Sequence, residues 1–282
     1  MKKLFLIQLF TIVSMATIFA QENSVLWKIS GNNLKTDSYL LGTIHILCPE
    51  DFVMHDKVKR VIGEVDQVIF EVDLFNPENT ALMQQKMMSP TQDFLSNLKS
   101  DQIQLVDSVL TANQLSIKMF DMLHPAMVMS LLTLKSFNCP NPMEIKSVEN
   151  EVHKLAEGKN IADLETIEFQ MEMLGKIATP EYFYNYLKLY DEAGKLTQQM
   201  VIAYNKQDLS ILEEVISDPN WMTPEVYDLM LTQRNNNWLD VIPSRISENK
   251  TLIAVGAAHL IGKDGLIQQL REKGYTVTPV LN

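Results

Sequence analysis

The sequence predicts an α/β or α+β fold in which both ends of the chain build a central mixed sheet and a large helical insertion, approximately residues 77–246, forms a cap. Short aliphatic runs of buried-strand length stand near both termini. Two of them close on the same tetrad, Gly42-Thr43-Ile44-His45 and Gly256-Ala257-Ala258-His259. Between them apolar residues recur at helical spacing. Pro90, Pro125, Pro140, Pro142, Pro180, Pro219, Pro224 and Pro243 cut that region into several helices, since proline is tolerated in a first turn and breaks a helix interior.

Residues 1–20 join Lys2-Lys3 to an apolar stretch, Leu4 to Phe19, and end at Ala20 before polar Gln21-Glu22-Asn23, the layout of a secretory signal peptide. An uncleaved anchor is the alternative, because the stretch is almost long enough to span a bilayer. No cysteine follows Ala20 as a lipid anchor would need, and no later segment is apolar for long enough to span a membrane. The expectation is a periplasmic or secreted protein without stable membrane insertion after cleavage. About 262 residues would remain, enough for one large α/β domain over residues 21–282.

Val25 to Ser30 and Ser38 to Ile46 read as a β-hairpin across Gly31-Asn32-Asn33. His55 to Ile62 follows as a short helix with Val58, Val61 and Ile62 on one face, and Gln67 to Asp73 as a strand. Inside the helical region, Asn160 to Glu165 is the strand-like exception, set between helices at Val148 to Glu157 and Thr166 to Ile177. The last segment gives a strand at Thr251 to Val255, a helix at Asp264 to Lys273 with Asp264 as N-cap, and a strand at Tyr275 to Val280. Methionines crowd the insertion, among them Met83, Met87, Met171 and Met173. They suit an irregular core or an adaptable groove.

The formal charge is −11, and loss of Lys2 and Lys3 with the leader lowers it by two more. So acidic a chain, without a basic cluster, excludes nucleic acid as a partner. Cys48 and Cys139 are the only cysteines. In an oxidising compartment they can pair, and otherwise they are two free thiols of which Cys48 can line the site.

Each tetrad places a histidine where a strand leaves its sheet. In open α/β sheets ligands bind beyond the carboxyl ends of parallel strands, so two such strands side by side would bring His45 and His259 together in a metal or acid–base site. Glu71 and Asp73 lie two apart on the strand before the insertion and face the same way. Two imidazoles and a carboxylate form a common divalent-metal set. Asp73 also reads as a residue of the strand's exposed end. Arg234, followed by three asparagines, is equipped to bind a carboxylate or a developing oxyanion. Glu165, Glu168 and Gln170 read as residues at the positive end of a helix, and His55, His124 and His153 lack the tetrad context and read as structural or exposed.

The ordered set Leu26 to Ile29, Tyr39 to Ile46, Phe70 to Asp73, Leu164-Glu165-Thr166 with Gln170, Arg234-Asn235 with Trp238, Val255 to Leu260, Gly262, Asp264-Gly265 and Gly274-Tyr275 resembles the TraB/GumN family, relatives of the TIKI metalloproteases. The resemblance covers nearly the whole mature chain. It implies active-site roles for His45, Glu71, Arg234 and His259, and a fold shared in outline with erythromycin esterases and a haem-binding protein, whose activities differ. The expected activity is that of an exported metal-dependent hydrolase, a peptidase, acting on a peptide or small-molecule substrate. His45, Glu71 and His259 would hold manganese, cobalt or zinc, or Glu71 would instead be the general base. Arg234 would stabilise the oxyanion, so that Arg234→Ala leaves the fold intact. The alternatives are metal-free ester hydrolysis with His45 as base oriented by Glu71, and non-catalytic haem or peptide binding.

Overall fold

The computed structural model describes residues 23–281, so the signal peptide expected over residues 1–20 lies outside the described residues. Six strands, β1 (Leu26–Ser30), β2 (Ser38–Thr43), β3 (Gln67–Phe70), β4 (Asn160–Asp163), β5 (Thr251–Gly256) and β6 (Thr276–Pro279), join in the order β4-β3-β5-β2-β1-β6. The run from β4 to β2 is parallel, and β1 pairs antiparallel with β2 and β6. The sheet is therefore mixed; five of its strands come from the two ends of the chain, and the edge strand β4 comes from the insertion. Parallel strands are covered on both faces, which is why β3 and most of β5 read as unbroken apolar runs and are buried throughout.

Helix α1 (Asp56–Glu64) links β2 to β3. The insertion holds α2 (Pro77–Met87), α3 (Ser100–Ala112), α4 (Pro125–Ser136), α5 (Val148–Leu155), α6 (Ile167–Ile177), α7 (Pro180–Lys188), α8 (Tyr190–Asn205), α9 (Leu209–Ile216), α10 (Pro224–Tyr227) and α11 (Gln233–Ile246), and α12 (Leu266–Glu272) precedes β6. Proline opens α2, α4, α7 and α10 at its first position, where its missing N–H costs nothing.

Only part of the insertion is a cap. Helices α3, α4 and α7 enclose a core of their own around Phe94, Phe120, Leu132 and Phe183, whereas α5, α8, α9 and α11 send Val152, Tyr204, Leu212 and Trp238 into the core of the sheet. Met171 and Met173 are buried in two small clusters between these cores, where an unbranched side chain fills irregular space.

Several boundaries differ from the sequence expectation. The second strand stops at Thr43, because the backbone beyond it pairs instead with the segment before α5. The third stops at Phe70, where Leu74 N–H donates to Val72 O at 3.0 Å and closes a turn. Pro243 lies inside α11, whose burial of Leu239, Ile242 and Ile246 outweighs one missing hydrogen bond. Gly265, not Asp264, is the N-cap of α12, at a position where a Cβ would lie 2.3 Å from Ile261 O. Cys48 and Cys139 are bonded, S–S 2.06 Å, so neither is a free thiol.

Candidate active site

Strands β2 and β5 are hydrogen-bonded neighbours in which Thr43 faces Gly256, so the two tetrads leave the sheet side by side. The glycines serve different ends. A Cβ on Gly42 would meet Ala257 Cα at 3.1 Å and Leu260 Cδ2 at 3.0 Å, so Gly42 lets the second tetrad pack against β2. A Cβ on Gly256 would instead stand 3.3 Å from Glu71 Oε1, 3.7 Å from His259 Cδ2 and 3.8 Å from His45 Nε2. Three side chains from three segments thus converge on one point.

Arg234 closes the site from α11. It follows a π-helical turn, Asp228–Thr232, of the kind that appears as a local bulge at functional sites. Its Nε donates to both oxygens of Glu165 at 3.1 Å, Nη1 to Met230 O at 3.3 Å and to His259 Nε2 at 3.0 Å, and Nη2 to Glu71 Oε2 at 2.5 Å and Glu165 Oε1 at 2.6 Å. A guanidinium has five N–H donors, and each is engaged. With the side chain only 3% exposed, Arg234 has no N–H left for a substrate oxyanion as it stands. Its geometry is that of a buried clamp. Glu165, expected as a helix-end residue, is its bidentate partner and also accepts from Trp238 Nε1 at 3.0 Å.

His259 Nδ1 lies 2.8 Å from Asn235 Oδ1, while Asn235 Nδ2 donates to His259 O and Asp264 O. The amide oxygen must accept, which puts the proton on Nδ1 and leaves Nε2 to accept from Arg234. Burial holds this imidazole neutral, down to about 3. Burial pushes Glu71 up, but the Arg234 guanidinium, the neighbouring imidazoles and the Gly256 N–H at 2.7 Å outweigh it and bring it to about 2.

His45 differs from the other three. Its ring is 68% exposed, against 4% for His259 and 11% for Glu71. Its Nδ1 lies 2.7 Å from Glu149 Oε1, and that carboxylate raises the imidazole to about 9. The ring lines a cleft of about 460 Å³ whose other walls include Phe75, Leu74, Met173, Leu174 and Met230. A few polar groups, among them His45, Glu71 and Arg234, share an otherwise largely apolar lining, the usual make-up of a small-ligand site.

A profile of the TraB/PrgY/gumN family matches residues 25–279, nearly the whole chain. The chain belongs to the TraB/PrgY/gumN family. No curated protein and no solved structure matches it.

In this TraB/PrgY/gumN protein the divalent ion expected on His45, Glu71 and His259 meets an obstacle. Arg234 N–H groups hold the lone pairs of His259 Nε2 and Glu71 Oε2 that such an ion would need. Among the described residues no group of three or more His, Cys, Asp or Glu side chains is placed to hold a metal. As arranged, the three side chains do not fit a manganese, cobalt or zinc centre.

The structure brings His45, Glu71, Arg234 and His259 together and leaves Asp73 out, its Oδ1 accepting from Phe75 N–H at 2.9 Å. His124 caps α4 and His153 stacks on Phe75. Glu149 and Glu165 are the site residues that sequence reasoning did not find. Glu165 lies within the motif Leu164-Glu165-Thr166, where the start of a helix already accounts for a carboxylate.

Proposed function

We propose that this TraB/PrgY/gumN protein is an exported hydrolase of ester or amide bonds that uses His45 as proton carrier without a resident metal. The observation that carries the reading is exposure: of the four converging residues, only His45 presents an open ring to the cleft, 68% against 3% for Arg234. In its neutral form His45 Nε2 takes a proton from water held beside Glu71 Oε1. The hydroxide adds to the substrate carbonyl, the bond to the leaving group breaks, and the imidazolium returns the proton to that group. An apolar substrate filling the cleft strips water from the ring, which disfavours the charged imidazolium and promotes this neutral form. Arg234 keeps Glu71 ionised and His259 in place. The signal-like residues 1–20 and the Cys48–Cys139 bridge support export, since such bridges persist in oxidising compartments.

The test is hydrolysis of p-nitrophenyl esters and fluorogenic peptides by wild type and His45→Ala, with metal content and the absorption spectrum recorded on the same untreated protein. His45→Ala should stay folded, with the unfolding temperature lowered by the loss of the Glu149 ion pair, and lose about 100-fold or more in turnover. Unchanged turnover would sink the proposal. The rival is metal-dependent peptide hydrolysis with His45, Glu71 and His259 as ligands, which requires Arg234 to withdraw. Equimolar manganese, cobalt or zinc in active protein would favour it, and a haem band would favour the binding-protein alternative.

A further inference from the structure

The geometry assigns Glu149 as the positioning residue of His45, fixing the plane of its ring and the tautomer that leaves Nε2 bare toward the cleft. This rests on the reading of His45 as the proton carrier, and neither tetrad contains Glu149.

A carboxylate only accepts, so the 2.7 Å contact to Glu149 Oε1 keeps a proton on His45 Nδ1 whether the ring is neutral or charged. The neutral ring then has its lone pair on Nε2, the nitrogen that faces Gly256. Glu149 is itself held from two sides. Thr43 Oγ1, at the end of β2, donates to Oε1, and Ser147 Oγ, at the N-cap of α5, donates to Oε2 at 2.6 Å. The carboxylate sits in the first turn of α5, where the helix dipole favours a negative charge, and is 16% exposed. An ordinary surface pair such as Lys28 with Asp37 is 40% and 45% exposed and has no such frame.

The backbone carries the same design. Val148 N–H donates to Ile44 O at 3.2 Å, Leu47 and Lys146 exchange two hydrogen bonds of 2.9 Å, and Cys48 is bonded to Cys139. These ties flank His45 on both sides and hold its segment to the one that leads into Glu149. The other charged groups around the ring, Glu71 after β3 and Arg234 on α11, and the neutral ring of His259 make no hydrogen bond to it. Glu149, not Glu71, therefore orients the imidazole.

The experiment compares wild type with Glu149→Ala, Glu149→Gln and Thr43→Val, using p-nitrophenyl butyrate kinetics and ¹⁵N NMR of histidine-labelled protein in alkaline buffer, where neutral rings report their tautomer. In wild type, His45 should show a protonated Nδ1 and a bare Nε2. In Glu149→Ala it should revert to the Nε2–H form that free imidazole side chains prefer, with kcat down about 100-fold and KM within about twofold, because proton transfer and not binding is lost. Glu149→Gln, whose amide oxygen still accepts, should keep the tautomer and recover part of kcat. Wild-type kcat with an unchanged tautomer in Glu149→Ala would overturn the assignment and leave a simple ion pair. If Glu149→Ala does not fold, Glu149→Leu, which fills the space and cannot accept a hydrogen bond, takes its place, and an unaltered tautomer with wild-type kcat there overturns the assignment equally. Thr43→Val, which only loosens the carboxylate, should keep the tautomer and lower kcat less than either. Should wild type hydrolyse none of the esters and peptides, the hydrolase reading fails, while the tautomer comparison still decides whether Glu149 orients His45.

Discussion

Arg234 is surrounded by acceptors that depend on it. Removing the guanidinium leaves Glu71 and Glu165 without their cation and His259 Nε2 without its donor, all of them largely buried. Breaking a buried ion pair from one side costs about 3 to 5 kcal/mol, so Arg234→Ala should lower urea stability by that order. The expectation that the fold would tolerate the change gives way to this one. A cost below about 1 kcal/mol, with activity abolished, would return the arginine to a purely chemical role. Protons act on the same residues in opposite directions. Glu71 and Glu149 are depressed to about 2 and His259 to about 3, so their stabilisation is lost as pH falls below the ordinary ranges of carboxylates and imidazole. His45 is raised to about 9, so its contribution is complete below the usual imidazole value and is lost as pH rises toward 9. Denaturation measured across pH should therefore give a maximum near about pH 6.5, where both sets are satisfied. If His45 acts as base, kcat/KM should climb with pH and level off near 9, whereas an acid role predicts a fall there.

The two Gly-x-x-His elements look alike in sequence and differ in consequence. Gly42→Ala drives a methyl against the backbone of Ala257 and should cost about 1 to 3 kcal/mol through overpacking. Gly256 has φ −50° and ψ 136°, which alanine adopts freely, so Gly256→Ala should change stability by less than about 1 kcal/mol. Its methyl would occupy the space between His45 and Glu71 that the proposed mechanism gives to water, and on that mechanism turnover should fall about 100-fold or more. Thermal unfolding and ester hydrolysis of the two variants check the contrast, and equal behaviour would contradict it. Elements of this sort were legible because the apolar run, the glycine and the histidine are contiguous. Glu149 was not, because its link to Thr43 spans 106 residues and nothing local distinguishes it from any acidic first turn. Glu165 was passed over for the same reason, its clamp lying 69 residues away. The π turn before Arg234 left no mark in the apolar period, so the saturation of the guanidinium was hidden too. Pro243 misled in the other direction, since tertiary burial carries a helix through it.

At the scale of the whole molecule, the sheet is closed by the two ends of the chain and the insertion is held to it by covalent and polar ties. The Cys48–Cys139 bridge spans 91 residues and joins the segment after His45 to the turn after α4. Cys48→Ser with Cys139→Ser should lower stability by about 2 to 4 kcal/mol, the usual worth of a native bridge. Non-reducing alkylation followed by mass measurement would first show whether wild type carries it, and two alkylated thiols would remove the argument. The sheet poses a further condition. Thr251 N–H donates to Ser38 Oγ across 213 residues, and β2 has its parallel neighbour only in β5. Translation at about 5 to 20 residues per second puts roughly 10 to 40 s between the appearance of those two strands. Throughout that interval the first histidine exists without the second, and β2 without its parallel neighbour. On the proposed hydrolase reading, the site is therefore assembled only when the C-terminal segment docks beside β2.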